Sequence, residues 1–130
     1  MKLSFFLVLF TMVAFVSCKK ENEQNLQGTF KGSFIRSAPA IDYVPSNVSL
    51  TFDKKTFSGS SQSPKYPAIC FGTWQTNNNK INFTNGCAWT GDFDHTLILH
   101  GEFEYDWKGK TLYIRKSIGQ FCDIYQLQKQ

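Results

Sequence analysis

The sequence has few of the residue patterns on which most enzymes depend. It has two histidines, His95 and His100, and no Gly-x-Ser-x-Gly, His-Glu-x-x-His or phosphate-loop motif. It has no Cys-x-x-Cys pair, which argues against thiol redox chemistry. Basic residues do not form a run interleaved with aromatic residues, which argues against nucleic-acid binding. We therefore expect a protein that is not an enzyme and that has no cofactor, no metal site and no nucleic-acid partner.

The alternative to this expectation is a catalytic or metal site in the polar segment from Asp92 to His95, beside Trp89. A carboxylate next to a histidine is the minimum for general acid–base chemistry, and the same pair could bind a metal. The two aspartates are also typical of a turn that opens a strand at Thr96, which is the more common situation. His100 is expected on the outward face of that strand.

The longest apolar run, interrupted only by Thr11, is short for a membrane-spanning helix, so a signal peptide is preferred and a permanent span is the alternative. It extends from Phe5 to Val16, whereas a bilayer requires about 20 residues. A short run after Lys2 is typical of a signal peptide, here residues 1 to 17. It ends in Phe-Val-Ser before Cys18, which resembles the lipobox of bacterial lipoproteins, with Phe15 where leucine is usual. The resemblance implies cleavage before Cys18 and attachment of lipid, including palmitate, to this cysteine.

Residues 18 to 25 are polar and aperiodic, and they predict a short lipidated tether. Their basic-then-acidic order resembles the export signal of Bacteroidetes surface lipoproteins. We therefore expect a lipid-anchored protein of the outer membrane, on either its periplasmic side or the cell surface. Residues 26 to 130 are the right length for one domain.

Aromatic and β-branched residues alternate with polar residues through this domain, which predicts an all-β fold. Three hairpins can be registered. The first turns at Lys54-Lys55 and sets Phe52 opposite Phe57. The second turns at Asn78-Asn79, residues that tolerate a tight turn, and pairs Trp74 with Phe83 and Cys70 with Cys87.

The third predicted hairpin runs from Leu97 to Trp107, turns at Lys108-Gly109 and returns to Lys116. Its register pairs Phe103 with Ile114 and Glu102 with Arg115. A first strand from Gly28 to Arg36, with Phe30 and Phe34 inward, and a last strand from Cys122 to Gln128 give about eight strands. Eight antiparallel strands in a meander can close into a single small barrel without free edges.

The cysteines predict one disulfide bond. If Cys18 carries lipid, three cysteines remain, and one of them stays unpaired within a monomer. The second hairpin brings Cys70 and Cys87 within disulfide range. The main rival is a bond between Cys87 and Cys122. With the preferred pairing, Cys122 is expected to be a buried thiol.

Three short motifs resemble small lipocalin-like, calycin-type lipoproteins of Bacteroidetes. Gly28-Thr29-Phe30 resembles the Gly-x-Trp motif of the first lipocalin strand, with Phe30 in place of tryptophan. Gly72-Thr73-Trp74 and Tyr125-Gln126-Leu127 follow at similar places in the chain. The resemblance implies a lipocalin-like barrel with a shallow cavity and no particular ligand.

Aromatic residues favour a binding protein, because nine phenylalanines, five tyrosines and three tryptophans follow Cys18. Such side chains either fill a small barrel or line a mouth that takes an apolar or sugar ligand. The candidate ligand-binding residues, which lie in or next to loops, are Tyr43, Tyr66, Trp89 and Trp107. The alternative function is a protein–protein module, an inhibitor or an outer-membrane accessory. It would present the proline-stiffened loops Ser37 to Pro45 and Ser60 to Pro67.

Overall fold

The structure, a computed structural model, describes residues 25 to 130. The predicted signal peptide, Cys18 and the tether up to Gln24 lie outside the described residues. The described part of the chain forms nine strands and one short 3₁₀ helix, His95–Leu97. The strands are β1 (Gly28–Ala38), β2 (Ile41–Asp42), β3 (Ser46–Phe52), β4 (Thr56–Ser61), β5 (Phe71–Asn77), β6 (Lys80–Asn85), β7 (Gly101–Lys108), β8 (Thr111–Ile118) and β9 (Phe121–Lys129). Within this range, no helix has the length and apolar character to cross a membrane.

Eight of the nine strands close into an antiparallel barrel. Each strand from β3 to β8 pairs with the next along the chain, β1 pairs with β3, and β1 also pairs with β9. The closing ladder between β1 and β9 extends from Phe30 opposite Lys129 to Ser37 opposite Cys122. β2 is an additional short strand that pairs only with the end of β1. The predicted all-β meander barrel is therefore confirmed.

The barrel forms because inward positions on successive strands are apolar. On β1, Phe30 and Phe34 are fully buried, as predicted, and Lys31 between them is exposed. The same alternation on the other strands gives one continuous core. Burying aromatic and aliphatic side chains of this size contributes about 1.5 to 3 kcal/mol each to folding. The core supplied by the remaining barrel strands consists of Val48, Leu50, Phe52, Phe57, Ile81, Phe83, Phe103, Leu112, Ile114, Tyr125 and Leu127.

The first two predicted hairpins are confirmed. Phe52 pairs with Phe57 across the Lys54-Lys55 turn, and Trp74 pairs with Phe83 across the Asn78-Asn79 turn. Asn78 has a φ of 56°, the left-handed conformation that asparagine adopts more readily than most residues.

The predicted register of the third hairpin is wrong by two residues. Its turn is Gly109-Lys110, so Tyr105 faces Ile114, and Arg115 faces Glu104 instead of Glu102. Gly109 takes the first loop position with a φ of 59°, a conformation that glycine adopts without strain. Because the shift is even, every inward residue stays inward. The strand also begins at Gly101 and not at Leu97.

The two ends of the barrel differ in their connections. At one end, called the turn end here, two-residue turns join β5 to β6 and β7 to β8 and a three-residue turn joins β3 to β4, and the chain enters β1 at Gly28. At the other end, the loop end, lie the two-residue turn between β8 and β9 and three long connections, residues 39 to 45, which include β2, 62 to 70 and 86 to 100. The loop end is therefore the part of the fold that is free to vary for recognition.

Candidate functional site

Arg36 closes the loop end of the barrel from inside. It takes the inward position after Phe34 on β1, and its side chain is 1% exposed. Nε and one terminal nitrogen donate to the two carboxylate oxygens of Asp123 at 2.7 and 2.8 Å. The other terminal nitrogen donates to Asp94 at 2.9 Å and to the Thr96 hydroxyl at 3.0 Å. This network ties the 86–100 connection to β1 and β9.

The electrostatics of this network favour the charged forms of Arg36 and Asp94. Burial opposes the charge on Arg36, but hydrogen bonding and the charges of Asp123 and Asp94 hold its pKa above its ordinary value. The side-chain hydrogen bond from Thr96 is the largest cause of a lowered pKa at Asp94. The guanidinium also lies 4.9 Å from the centre of the Phe121 ring. Arg36 therefore acts as a plug at the loop end, and its N–H groups are hydrogen-bonded to other residues of the protein.

Tyr43, Tyr66 and Phe121 form an aromatic cluster above this plug. Tyr43 stacks on Tyr66, with ring centres 6.3 Å apart and planes 18° apart, and its edge meets Phe121 at 6.4 Å. A β-bulge aims Tyr43 there, because the three residues from Tyr43 to Pro45 lie opposite only two residues of β1, Ile35 and Arg36.

The Tyr66 hydroxyl is shielded from solvent and has no hydrogen-bond partner among the described residues. Burial raises the pKa of this phenol, and the backbone of Arg36 acts in the opposite direction. The Tyr66 ring packs edge-on against Phe34, with centres 5.4 Å apart. Tyr66 therefore connects the aromatic surface of the loop end to the core below it.

A second aromatic cluster lies on the 86–100 connection. Trp89 meets Phe93 edge-on at 6.1 Å, and Phe93 packs against His95 at 4.5 Å. Lys65, the neighbour of Tyr66 in sequence, places its ammonium 4.9 Å from the Phe93 ring and donates to the Thr90 carbonyl. The two clusters therefore meet at the 62–70 connection.

The structure brings three of the four predicted ligand-binding residues to one end of the barrel. Tyr43, Tyr66 and Trp89 all lie at the loop end and are half-buried. Trp107 lies at the turn end, against Phe30 at 5.9 Å. There it lines an open cavity of about 350 Å³ with Asn25, Lys110, Gln128 and Lys129. Trp107 is therefore separate from the other three.

The Asp92 to His95 segment does not form the acid–base pair considered above. The Asp94 carboxylate contacts Arg36 and Thr96, and His95 Nε2 lies 3.4 Å from the Gly91 carbonyl. His100 is exposed, and its Nδ1 accepts a hydrogen bond from the backbone N–H of Asn85. Residues 25 to 130 contain no group of three metal-ligating side chains.

The predicted disulfide bond joins Cys70 to Cys87. Their Cα atoms lie 6.4 Å apart, just beyond the Gly72–Asn85 pair that ends the ladder between β5 and β6. The bond therefore fastens the 62–70 connection to the 86–100 connection. Cys122 is a free thiol, but it is only half-buried on the outward face of β9, so the prediction of a buried thiol is wrong. Its neighbours Asp123 and Tyr125 take the inward positions.

We expect the double variant Cys70→Ala, Cys87→Ala to lose about 3 kcal/mol in free energy of unfolding, because the bond closes a loop of 17 residues. Urea denaturation would measure the loss. The matched control is Cys122→Ala, which should change stability by less than about 0.5 kcal/mol. Equal losses in the two proteins, or a tryptic peptide linking Cys87 to Cys122, would contradict this assignment.

The interior of the barrel is occupied by its own aromatic rings. Phe83 lies at the centre, with ring centres 6.0 Å from Phe52, 5.1 Å from Phe57 and 5.6 Å from Phe103. Tyr125 continues this packing from Phe103 to Phe34, and burial raises its pKa well above the ordinary value. A ligand would therefore meet side chains and not a hollow along this axis.

The chain was compared with models of protein families, with curated proteins and with solved structures, and it matches none of them.

Proposed function

We propose that the protein is a membrane-anchored binding barrel that recognises a small ligand on the surface of its loop end. One observation carries this proposal. Phe83 and its neighbours fill the interior, whereas the half-exposed rings of Tyr43 and Trp89 lie on the long connections at one end. Binding sites are often built on loops held by a rigid scaffold. Arg36 and the disulfide bond supply that rigidity here.

The chemistry of the loop end favours a sugar over a purely apolar ligand. A fatty ligand requires an enclosed apolar pocket, and the packed rings leave little room for one along the barrel axis. A sugar stacks one face on an aromatic ring and directs its hydroxyl groups to polar neighbours. Around Trp89 and Phe93, exposed Asp92 and His95 and the ammonium of Lys65 supply such neighbours.

The anchor and the family are parts of the same proposal. The Lys2 to Cys18 pattern supports a lipid on Cys18, in the outer membrane, and the chain enters the barrel at the turn end. The loop end would then face away from the membrane. Kinship with lipocalin-like lipoproteins is supported by the eight-stranded meander and by Gly28-Thr29-Phe30 at the start of β1, where Phe30 packs into the core.

Tryptophan fluorescence tests the ligand site, because Trp89 and Trp107 lie at opposite ends. We expect oligosaccharides, but not fatty acids or haem, to change the emission of the wild type and of Trp107→Phe. Trp89→Phe should lose the change, and Tyr43→Ala should weaken affinity by about tenfold, as for an aromatic anchor. A response to fatty acids that persists in Trp89→Phe would contradict a loop-end sugar site.

A protein partner is the second candidate, and two exposed apolar side chains favour it. Val44 is 79% exposed and Ile41 is 50% exposed; Val44 directly precedes Pro45, and Ile41 follows Pro39 by two residues in the predicted Ser37 to Pro45 loop. Apolar loop side chains flanked by prolines lose little entropy on docking. A null response to every sugar, together with a cross-linked partner that Val44→Ser abolishes, would favour this function.

A further inference from the structure

Six of the nine lysines in the described part of the chain lie at the turn end. All six side chains are exposed. They come from three different turns and from the end of β9, so only the closed barrel brings them to one face. We call them the turn-end lysines: Lys54, Lys55, Lys80, Lys108, Lys110 and Lys129.

Most of this positive charge is not neutralised by the protein. Among residues 25 to 130, Lys80 is the one turn-end lysine with a salt bridge, to Glu102 at 2.9 Å. Lys108 lies over the Tyr113 ring at 5.1 Å. Asp53 is the one acidic residue in the three tight turns. Glu104 lies opposite Lys80 and offsets part of this charge, so the face carries a net positive charge of reduced size.

The loop end has the opposite balance. Its long connections carry Lys65 and are contacted by Lys116 at the His100 carbonyl, against Asp42, Asp92 and Asp94. Arg36 beneath them is paired with Asp94, already counted, and with Asp123, which leaves this end with one net negative charge. The barrel is therefore polarised along its axis, with the positive pole at the end where the chain enters β1.

We infer that the turn end docks directly on an anionic phospholipid bilayer. Lysine clusters beside an anchor are attracted to anionic headgroups, and half-buried tryptophans favour the membrane interface. The open cavity of about 350 Å³ places Trp107 beside Lys110 and Lys129, which suits one lipid phosphate and its glycerol. The inference deepens the proposed function, since it rests on the anchor for its orientation. Residues 18 to 25 span at most about 28 Å when extended, which holds the turn end near the lipid surface.

The experiment uses the processed full chain, reconstituted in vesicles that contain a lipid with a nitroxide on its headgroup. One set is phosphatidylcholine, and the other is equal parts phosphatidylcholine and phosphatidylglycerol. We expect tryptophan emission to be quenched far more on the anionic vesicles and to recover at high salt because salt screens the attraction. Quenching should be weaker in Trp107→Phe, where Trp74, bonded to the Asp53 and Thr56 carbonyls, is the tryptophan that remains at the turn end.

Charge-matched variants identify the docking face. We expect the triple variant Lys54→Gln, Lys55→Gln, Lys110→Gln to weaken docking on anionic vesicles by about a hundredfold, at about fivefold per lysine. The control Lys31→Gln, Lys65→Gln, Lys116→Gln removes the same charge elsewhere and should dock like the wild type. Equal quenching on both vesicle types, or equal effects of the two variants, would overturn the inference. Loss of the quenching when inorganic phosphate is added at constant ionic strength would also overturn the inference, because it would indicate a phosphate-ion site and no bilayer contact.

If Cys18 carries no lipid, the experiment gives a result that differs from failure of the docking inference. The chain would then not float with phosphatidylcholine vesicles, and the mass of its Cys18 peptide would lack lipid. Quenching on anionic vesicles that depends on the turn-end lysines would still support docking in that case. A lipidated chain that floats with both vesicle types but shows no dependence on phosphatidylglycerol would overturn docking and leave the anchor in place.

Discussion

Replacing Arg36 by methionine is expected to lower the free energy of unfolding by about 3 to 5 kcal/mol. The loss comes mainly from Asp123, which is 3% exposed and would keep a buried carboxylate without its two guanidinium hydrogen bonds. Asp94 would suffer less, because its side chain is 46% exposed and retains the bonds from Thr96. The 86–100 connection would also lose its tie to β1.

Urea denaturation would measure this loss, and a double variant would assign it. Arg36→Met with Asp123→Leu should recover much of the stability, since an apolar pair can replace a buried ion pair with little cost. Arg115→Met is the matched control, because Arg115 pairs with Asp106 at a half-exposed site and should cost less than about 1 kcal/mol. A loss in Arg36→Met no larger than the control would show that the plug adds no stability.

Alternation along the chain is enough to predict most of the barrel. Period-two patterns identify the inward residues, such as Phe30 and Phe34, and tight turns fix the register of two hairpins. The predicted register of the third hairpin is wrong because the sequence pattern centres the turn on Lys108-Gly109, whereas Gly109 takes the first of the two loop positions in the structure. Local pattern does not separate these two registers, because both keep Phe103 and Ile114 inward.

The loop end is harder to predict, because tertiary contacts determine it. The apolar segment from Leu97 to His100 suggests a strand, but Leu97 ends a 3₁₀ helix whose Thr96 is bonded to Arg36. Ile98 makes only an isolated bridge to Ala68. A trace of this plug exists in the sequence. Arg36 follows Phe30 and Phe34 at an inward position of β1, and Asp123 precedes Tyr125 at an inward position of β9. A charged residue in each apolar alternation indicates a buried pair. No comparable pattern in the sequence indicates the bulge at Tyr43.

Polarity and packing together give the molecule two different faces. The lysines that lie at the turn end are far apart in sequence, so composition alone shows only a modest net charge of +4. Closure of the barrel separates them from Asp42, Asp92 and Asp94 at the loop end. A domain with one cationic pole and one aromatic pole fits the proposal that one end meets lipid and the other meets a ligand.

Replacing Phe83 by alanine is expected to cost about 3 to 5 kcal/mol in free energy of unfolding. Phe83 is fully buried and contacts the rings of Phe52, Phe57 and Phe103. Removing it leaves an apolar void that these neighbours fill only in part. Such a void stays dry and binds benzene, so benzene should raise the melting temperature of the variant and not that of the wild type.

The outcome distinguishes a filled barrel from a storage barrel. The matched control is Phe71→Ala, because Phe71 is 57% exposed at the start of β5 and its loss should cost less than about 1 kcal/mol. Thermal denaturation with and without benzene would give both quantities. Benzene that stabilises the wild type as much as Phe83→Ala would reveal an open interior. The ligand site would then belong inside the barrel, because stabilisation by a ligand requires a site that exists in the folded state.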